Sequence, residues 1–260
     1  MDDRDVVALW DFGQPKVSEA RFREALSAAE AEGRAADAML MHTQVARALG
    51  LQDRFDEATA ELDSVDVAEA SPVGRVYLDL ERGRVLRSGG DPERAIPFFR
   101  TAFETASAAR LDALAADAAH MMAVVGDPPA QIEWSQRALG IATASTDPHT
   151  RRWISSVENN LGWTLHDLGR YEEAQEHFER ALVANEERGD PERIRIAHWT
   201  VARGLRSLGR HEEALAIQQR LVEQGPEDPY VFEELAELLT ALGRPDEAEP
   251  YAERARQLES

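Results

Sequence analysis

Cysteine is absent from the chain, which removes disulfides, thiolate metal sites and cysteine nucleophiles together. Lysine occurs once, at Lys16, so the other 28 of the 29 basic residues are arginines. That usage fits the codon bias of a GC-rich genome and sets a high arginine background. Positive charge is scarce as a whole: 29 Lys+Arg stand against 49 Asp+Glu, a formal net charge of −20 over 260 residues. Nucleic acid and anionic membrane would both repel such a chain at long range, so neither is expected as a partner. Long apolar runs are missing too, none approaching the ~20 residues that span a bilayer. The opening Met1-Asp2-Asp3-Arg4-Asp5 is acidic where a secretory signal is basic, so a cytoplasmic location is expected. Aromatics make up only 7%, and apolar residues seldom alternate in the manner of strands. What remains, rich in Ala, Leu, Glu and Arg, is the profile of an ordered all-α protein.

Internal repetition organises that material. Three strings recur: Leu168-Gly169-Arg170-Tyr171-Glu172-Glu173-Ala174, Leu208-Gly209-Arg210-His211-Glu212-Glu213-Ala214 and Leu242-Gly243-Arg244-Pro245-Asp246-Glu247-Ala248, shifted by 40 and 34 residues. More divergent copies lie at 50–58 and 87–95. The anchor alanines are Ala20, Ala58, Ala95, Ala130, Ala174, Ala214 and Ala248; twelve residues before each stands Ala8, Ala46, Gly83, Ala118, Gly162, Ala202 or Ala236. Three residues further on come Asp11, Leu49, Leu86, Met121, Leu165, Leu205 and Leu239, apolar in all but the first copy. Each unit reads as two antiparallel helices that approach closely at the two small residues. Gly169, Gly209 and Gly243 end the first helix, because glycine takes the left-handed conformation without steric cost. Leu62, Phe99, Trp134 and Phe178, four after their anchors, fill the space between units. Asp-Pro pairs at 91–92, 127–128, 147–148, 190–191 and 228–229 supply a capping carboxylate and the residue best suited to a first helical turn. The stretch Ser145-Thr146-Asp147-Pro148-His149-Thr150 is the best candidate for an irregular joint.

The pattern Leu161-Gly162, Leu165, Gly169, Tyr171, Ala174, Phe178 and Ala181 resembles the tetratricopeptide repeat family. The resemblance implies a right-handed α-solenoid of about seven tandem helix-turn-helix repeats, a single domain over 1–260, with units beginning near 1, 39, 76, 111, 155, 195 and 229. It is strongest over 155–260.

Catalysis finds little to stand on. The seven histidines show no metal-ligand spacing; Glu173 and His177 share a helix face, as solvated residues commonly do. No nucleophile elbow or phosphate loop occurs. The protein is expected to be no enzyme and to need no cofactor or metal.

Binding fits better. The face of the first helix turned away from the second is set by spacing around the small residue: six and three before it, one and four after it. The resemblance implies that this face lines a groove. It carries Asn159, Trp163 and His166 in the strongest copy and Trp199, Arg203 and Arg206 in the next, with Ser156 and Ile196 on the same faces. Tyr230 stands in the last copy and Arg47, Tyr77, Arg84 and Arg87 in earlier ones. Arginine exceeds its background here, and guanidinium grips carboxylate in a bidentate fork, so an acidic protein or peptide is the expected partner. Internal roles compete: Arg84 can pair with Glu81 and Arg87 with Asp91, Arg203 can stack on Trp199, and Trp163 can pack between helices. The family's clamp for chaperone tails is not carried over, since Glu234 stands where a cation is needed. The expected function is a binding scaffold, the alternative a sensory module for a small peptide or metabolite.

Overall fold

The computed structural model describes residues 3–67 and 70–259, and side chains over 6–67 and 70–258. Met1, Asp2 and Ser260, and with them the expected start of the first repeat, lie outside the described residues. The chain forms two compact units, 1–151 and 152–260. The first holds α1 (Asp3–Leu9), α2 (Pro15–Ala31), α3 (Ala35–Gly50), α4 (Phe55–Asp63), α5 (Pro72–Ser88), α6 (Pro92–Ala108), α7 (Asp112–Val125), α8 (Pro128–Ala144) and the single turn α9 (Pro148–Arg151). The second holds α10 (Trp153–Asp167), α11 (Tyr171–Arg188), α12 (Pro191–Ser207), α13 (His211–Gln224), α14 (Pro229–Ala241) and α15 (Pro245–Glu259). Among the described residues there is no strand. Successive helices pair into antiparallel hairpins, and the unit boundary follows the joint that the sequence marks around Pro148.

Helix starts follow the caps. Asp91, Asp127, Asp190 and Asp228 each accept a hydrogen bond from a backbone N–H of the first turn, with proline directly after. Ser71 does the same before Pro72, drawing α5 four residues ahead of its expected start at 76. Asp190-Pro191 likewise starts α12 ahead of 195.

Hairpin turns share one geometry. Gly169, Gly209 and Gly243 have φ of 73°, 72° and 73°. The next residue's N–H donates back to the carbonyl of Leu165, Leu205 or Leu239 at 2.9–3.0 Å, closing the helix end. Asp53 holds the same place with φ of 60°, and Arg110 ends α6 in the link to the next hairpin with φ of 56°, neither with a glycine to relieve it.

The core is the contact between small residue and large ring. A Cβ added to Gly83 would lie 2.4 Å from Phe99, and one added to Gly162 would lie 2.5 Å from Phe178. Both rings are fully buried, as are Ala58, Ala95, Ala174 and Ala214, with Ala248 nearly so. Two expected anchors are corrected. Ala20 is exposed; its place is taken by Ser18, whose Oγ donates to the Asp11 carbonyl and accepts from the Asp11 N–H, with Phe22 buried four residues on. Ala8 is exposed as well. Ala130 is half-buried, and α8 packs through Trp134, edge-on to Phe103 at 5.0 Å, and Ser135.

A second position recurs four residues before the small one. His42 meets Glu61 in one hairpin and Glu158 meets His177 in another, the same pair with the roles exchanged. Phe232 stacks on Tyr251 there in the last hairpin. In α5 the place falls to Asp79, whose carboxyl burial pushes up to about 6 against the pull of Arg82 and Arg75.

Two outcomes follow from these local conflicts. Arg110→Gly should raise stability by about 1 kcal/mol, read by urea unfolding, because it removes a left-handed arginine whose exposed side chain is packed against little. Asp79 is an acid with a raised folded pKa, so its favourable contribution is present at low pH and is lost as pH rises through about 6. Asp79→Asn should therefore stabilise at pH 7.5, the gain shrinking towards pH 4, as thermal melts across that range will show.

Candidate functional site

In the second unit the first helices of the hairpins, α10, α12 and α14, present one row of aromatic residues. Trp163 lies 6.3 Å from Trp199, and Trp199 lies 6.4 Å from Tyr230, ring centre to ring centre. Relative to the small residue these stand one after, three before and six before. The row thus steps back about one helical turn at each helix. Trp163 is the half-buried end, tilted against Phe178 at 5.0 Å, so it packs as well as faces outward. Trp199 donates its indole N–H to the Tyr230 carbonyl at 3.2 Å. Tyr230 is 61% exposed and Ile196 54% exposed, unusual values for such side chains.

The arginines are otherwise engaged. Arg206 grips Glu234 with two bonds, at 2.8 and 2.9 Å, and also reaches Glu237; Arg203 lies 3.1 Å from Glu234 and donates to Ser207 Oγ at 2.9 Å. In the first unit Arg47 donates to Glu81 at 3.1 Å, and Arg84 binds Glu81 and Asp117. Glu81 and Glu234 are both buried. Burial would raise the Asp117 carboxyl, but Arg84 and Arg47 override it and hold it below the ordinary carboxylate range. Arg47 and Arg203 stand one after their small residue, and Glu81 and Glu234 two before theirs in the following hairpin. The same cross-repeat pair is therefore built twice.

These contacts correct the expected roles. Arg47, Arg84, Arg203 and Arg206 face carboxylates of the chain itself, so their charge is spent internally. The Arg84–Glu81 pair forms as expected. Arg203 goes to Glu234 and does not stack on Trp199, and Arg87 stays exposed while Asp91 takes Arg94. Tyr77 is buried at 6% exposure and serves the core. His166 is half-buried and shares a 2.8 Å hydrogen bond with Ser207; burial and nearby Arg203 push its imidazole below the ordinary value. Asn159 is half-buried and faces a cavity.

That cavity, of 520 Å³, is walled by Ser155, Ser156, Asn159 and Asn160 of α10, Asn185 of α11 and the first turns of α12. A second, of 460 Å³, lies beside Ile196, Trp199, Tyr230 and Val231. Glu192 and Ile196 border both. The repeat pattern marked Ser156, Asn159 and Ile196 on the outward face, but not Asn185, which comes from the second helix of its hairpin. Among the described residues no group of three His, Asp or Glu side chains could hold a metal, and no helix is long and apolar enough to cross a membrane.

The architecture is that of tandem helical hairpins. Two tetratricopeptide repeat family models match the sequence, one over residues 153–225 and one over 202–259. Both matches lie within the second unit. Comparison with curated proteins finds no significant sequence match. Solved structures share the fold at low identity. A signal transduction ATPase with numerous domains, with a tetratricopeptide repeat sensor, from Pyrococcus horikoshii, is 14% identical with a TM-score of 0.73, over 95% of this chain and 39% of its own. The chain thus spans well under half of that relative. The apo form of RapI is 13% identical with a TM-score of 0.69, over 96% of this chain and 75% of its own. NprR in complex with its cognate peptide NprX is 15% identical with a TM-score of 0.57, over 97% and 76%.

Removing one carboxylate tests the internal pairing. Glu234→Gln should cost about 2–4 kcal/mol in urea unfolding, since partly buried Arg203 loses its counter-charge and Arg206 is left with Glu237 alone.

Proposed function

We propose that the protein is a non-catalytic binding module that holds a peptide segment of a partner protein on the outward face of α10, α12 and α14. The observation that carries this reading is exposed Ile196 and Tyr230 with half-buried Trp199 between them, around an open 460 Å³ cavity. Large apolar side chains left in water beside a concavity are the usual anchors of recognition. The likeness to NprR, solved with its cognate peptide, and to a protein with a repeat sensor supports a ligand of peptide size. An acidic partner loses its basis, because the arginines that suggested it are bound to Glu81, Asp117, Glu234 and Glu237.

Selection of peptides from a random twelve-residue library by the full chain tests the reading. The double variant Trp199→Ala, Tyr230→Ala should weaken the selected peptides about thirtyfold or more with unchanged helicity by circular dichroism, while Arg87→Ala leaves affinity intact. Undiminished binding by the double variant would overturn it.

A further inference from the structure

The two adjoining cavities of the second unit differ in chemistry, and the difference specifies an occupant. In the polar one, Ser155 Oγ and Asn185 Oδ1 are buried with no hydrogen-bond partner among the described residues, although their residues are only 3% and 8% exposed. Buried polar atoms are rarely left this way, since each forfeits its bond to water. Both can accept a hydrogen bond from a ligand donor. Asn185 also lies in the last turn of α11, where the helix carbonyls add partial negative charge.

The ionised groups around both cavities tell the same story. Asp190 caps α12 and pairs with Arg193, and Arg195 pairs with Asp228 at 2.6 Å. Each of those couples is neutral, and Arg195 Nη1 is in addition a buried donor without a hydrogen-bond partner beside the second cavity. Glu192 is exposed, makes no ion pair among the described residues, and borders both cavities. Among the residues that line the two cavities one carboxylate is therefore in surplus, with Arg188 standing outside that lining near Asp190 and Arg193.

We infer that the site takes a peptide in which an apolar residue adjoins a basic one: the apolar side chain rests on Ile196, Trp199 and Tyr230, and the lysine or arginine passes Glu192 to donate to Ser155 and Asn185. The inference rests on the peptide-binding reading above and assigns its ligand the charge opposite to that expected from the groove arginines. A charge-assisted hydrogen bond holds the cation, and the aromatic row holds its neighbour.

The probe is an array of capped twelve-residue peptides with a central Leu-Lys, Leu-Arg, Leu-Gln or Leu-Glu pair and mixed neutral flanks, offered to the full-length protein. Leu-Lys and Leu-Arg peptides should bind about tenfold more tightly than Leu-Gln, and Leu-Glu more weakly still. Glu192→Gln should bring the Lys-to-Gln ratio close to one, and this exposed, unpaired residue can be exchanged without disturbing the fold. Equal or tighter binding of Leu-Glu, or a ratio indifferent to Glu192→Gln, overturns the inference while leaving peptide binding in place if the double variant Trp199→Ala, Tyr230→Ala still weakens it. Failure of every peptide to bind overturns both.

Discussion

The α5–α6 and α10–α11 hairpins depend on one steric exchange: a side chain withheld on the first helix makes room for a ring on the second. Gly83 and Gly162 yield space that Phe99 and Phe178 fill completely, with ring atoms where a methyl group would stand. The ring removes a large apolar surface from water, and the helix axes come close enough for that burial to be complete. The exchange also sets the outward face. Trp163, next to Gly162, is braced from beneath by Phe178, and from that brace the aromatic row runs to Trp199 and Tyr230.

Much of this was legible in the sequence because it is written in one dimension. Spacing between small residues, glycine after the first helix and Asp-Pro at helix starts act within a few residues of themselves, so pattern alone reveals them. Alanine misled where it was abundant for other reasons, as at Ala20 and Ala130, and a buried serine took the place of the first. Tyr77 and Tyr230 occupy the same slot with opposite fates. Tyr77 lies on α5, which is packed against α3, α4, α6 and α7, whereas α14 belongs to the last hairpin and its tyrosine is left in water. Position within the stack, not within the repeat, decides the difference.

The charge partners were the part that spacing could not reveal. An arginine and a carboxylate more than thirty residues apart meet only because successive first helices are inclined, so that a slot on one faces the slot about three residues earlier on the next. Arg47 with Glu81 and Arg203 with Glu234 obey that rule, as does Arg206 with Glu237. Arg84 with Glu81 was visible beforehand because both lie on one helix turn. The candidate site suffered the same limit: Asn185 enters from a second helix, and its unmet oxygen is a property of the assembled cavity.

That oblique matching makes the hairpins unequal as modules. A coil of interchangeable parts can gain or lose one by recombination and close up again. Here the loss of α12 and α13 would deprive Glu234 of both its guanidiniums. The order of the units is thereby recorded in their charges, which ties the array's evolutionary growth or contraction to compensating exchanges on both sides of every new joint.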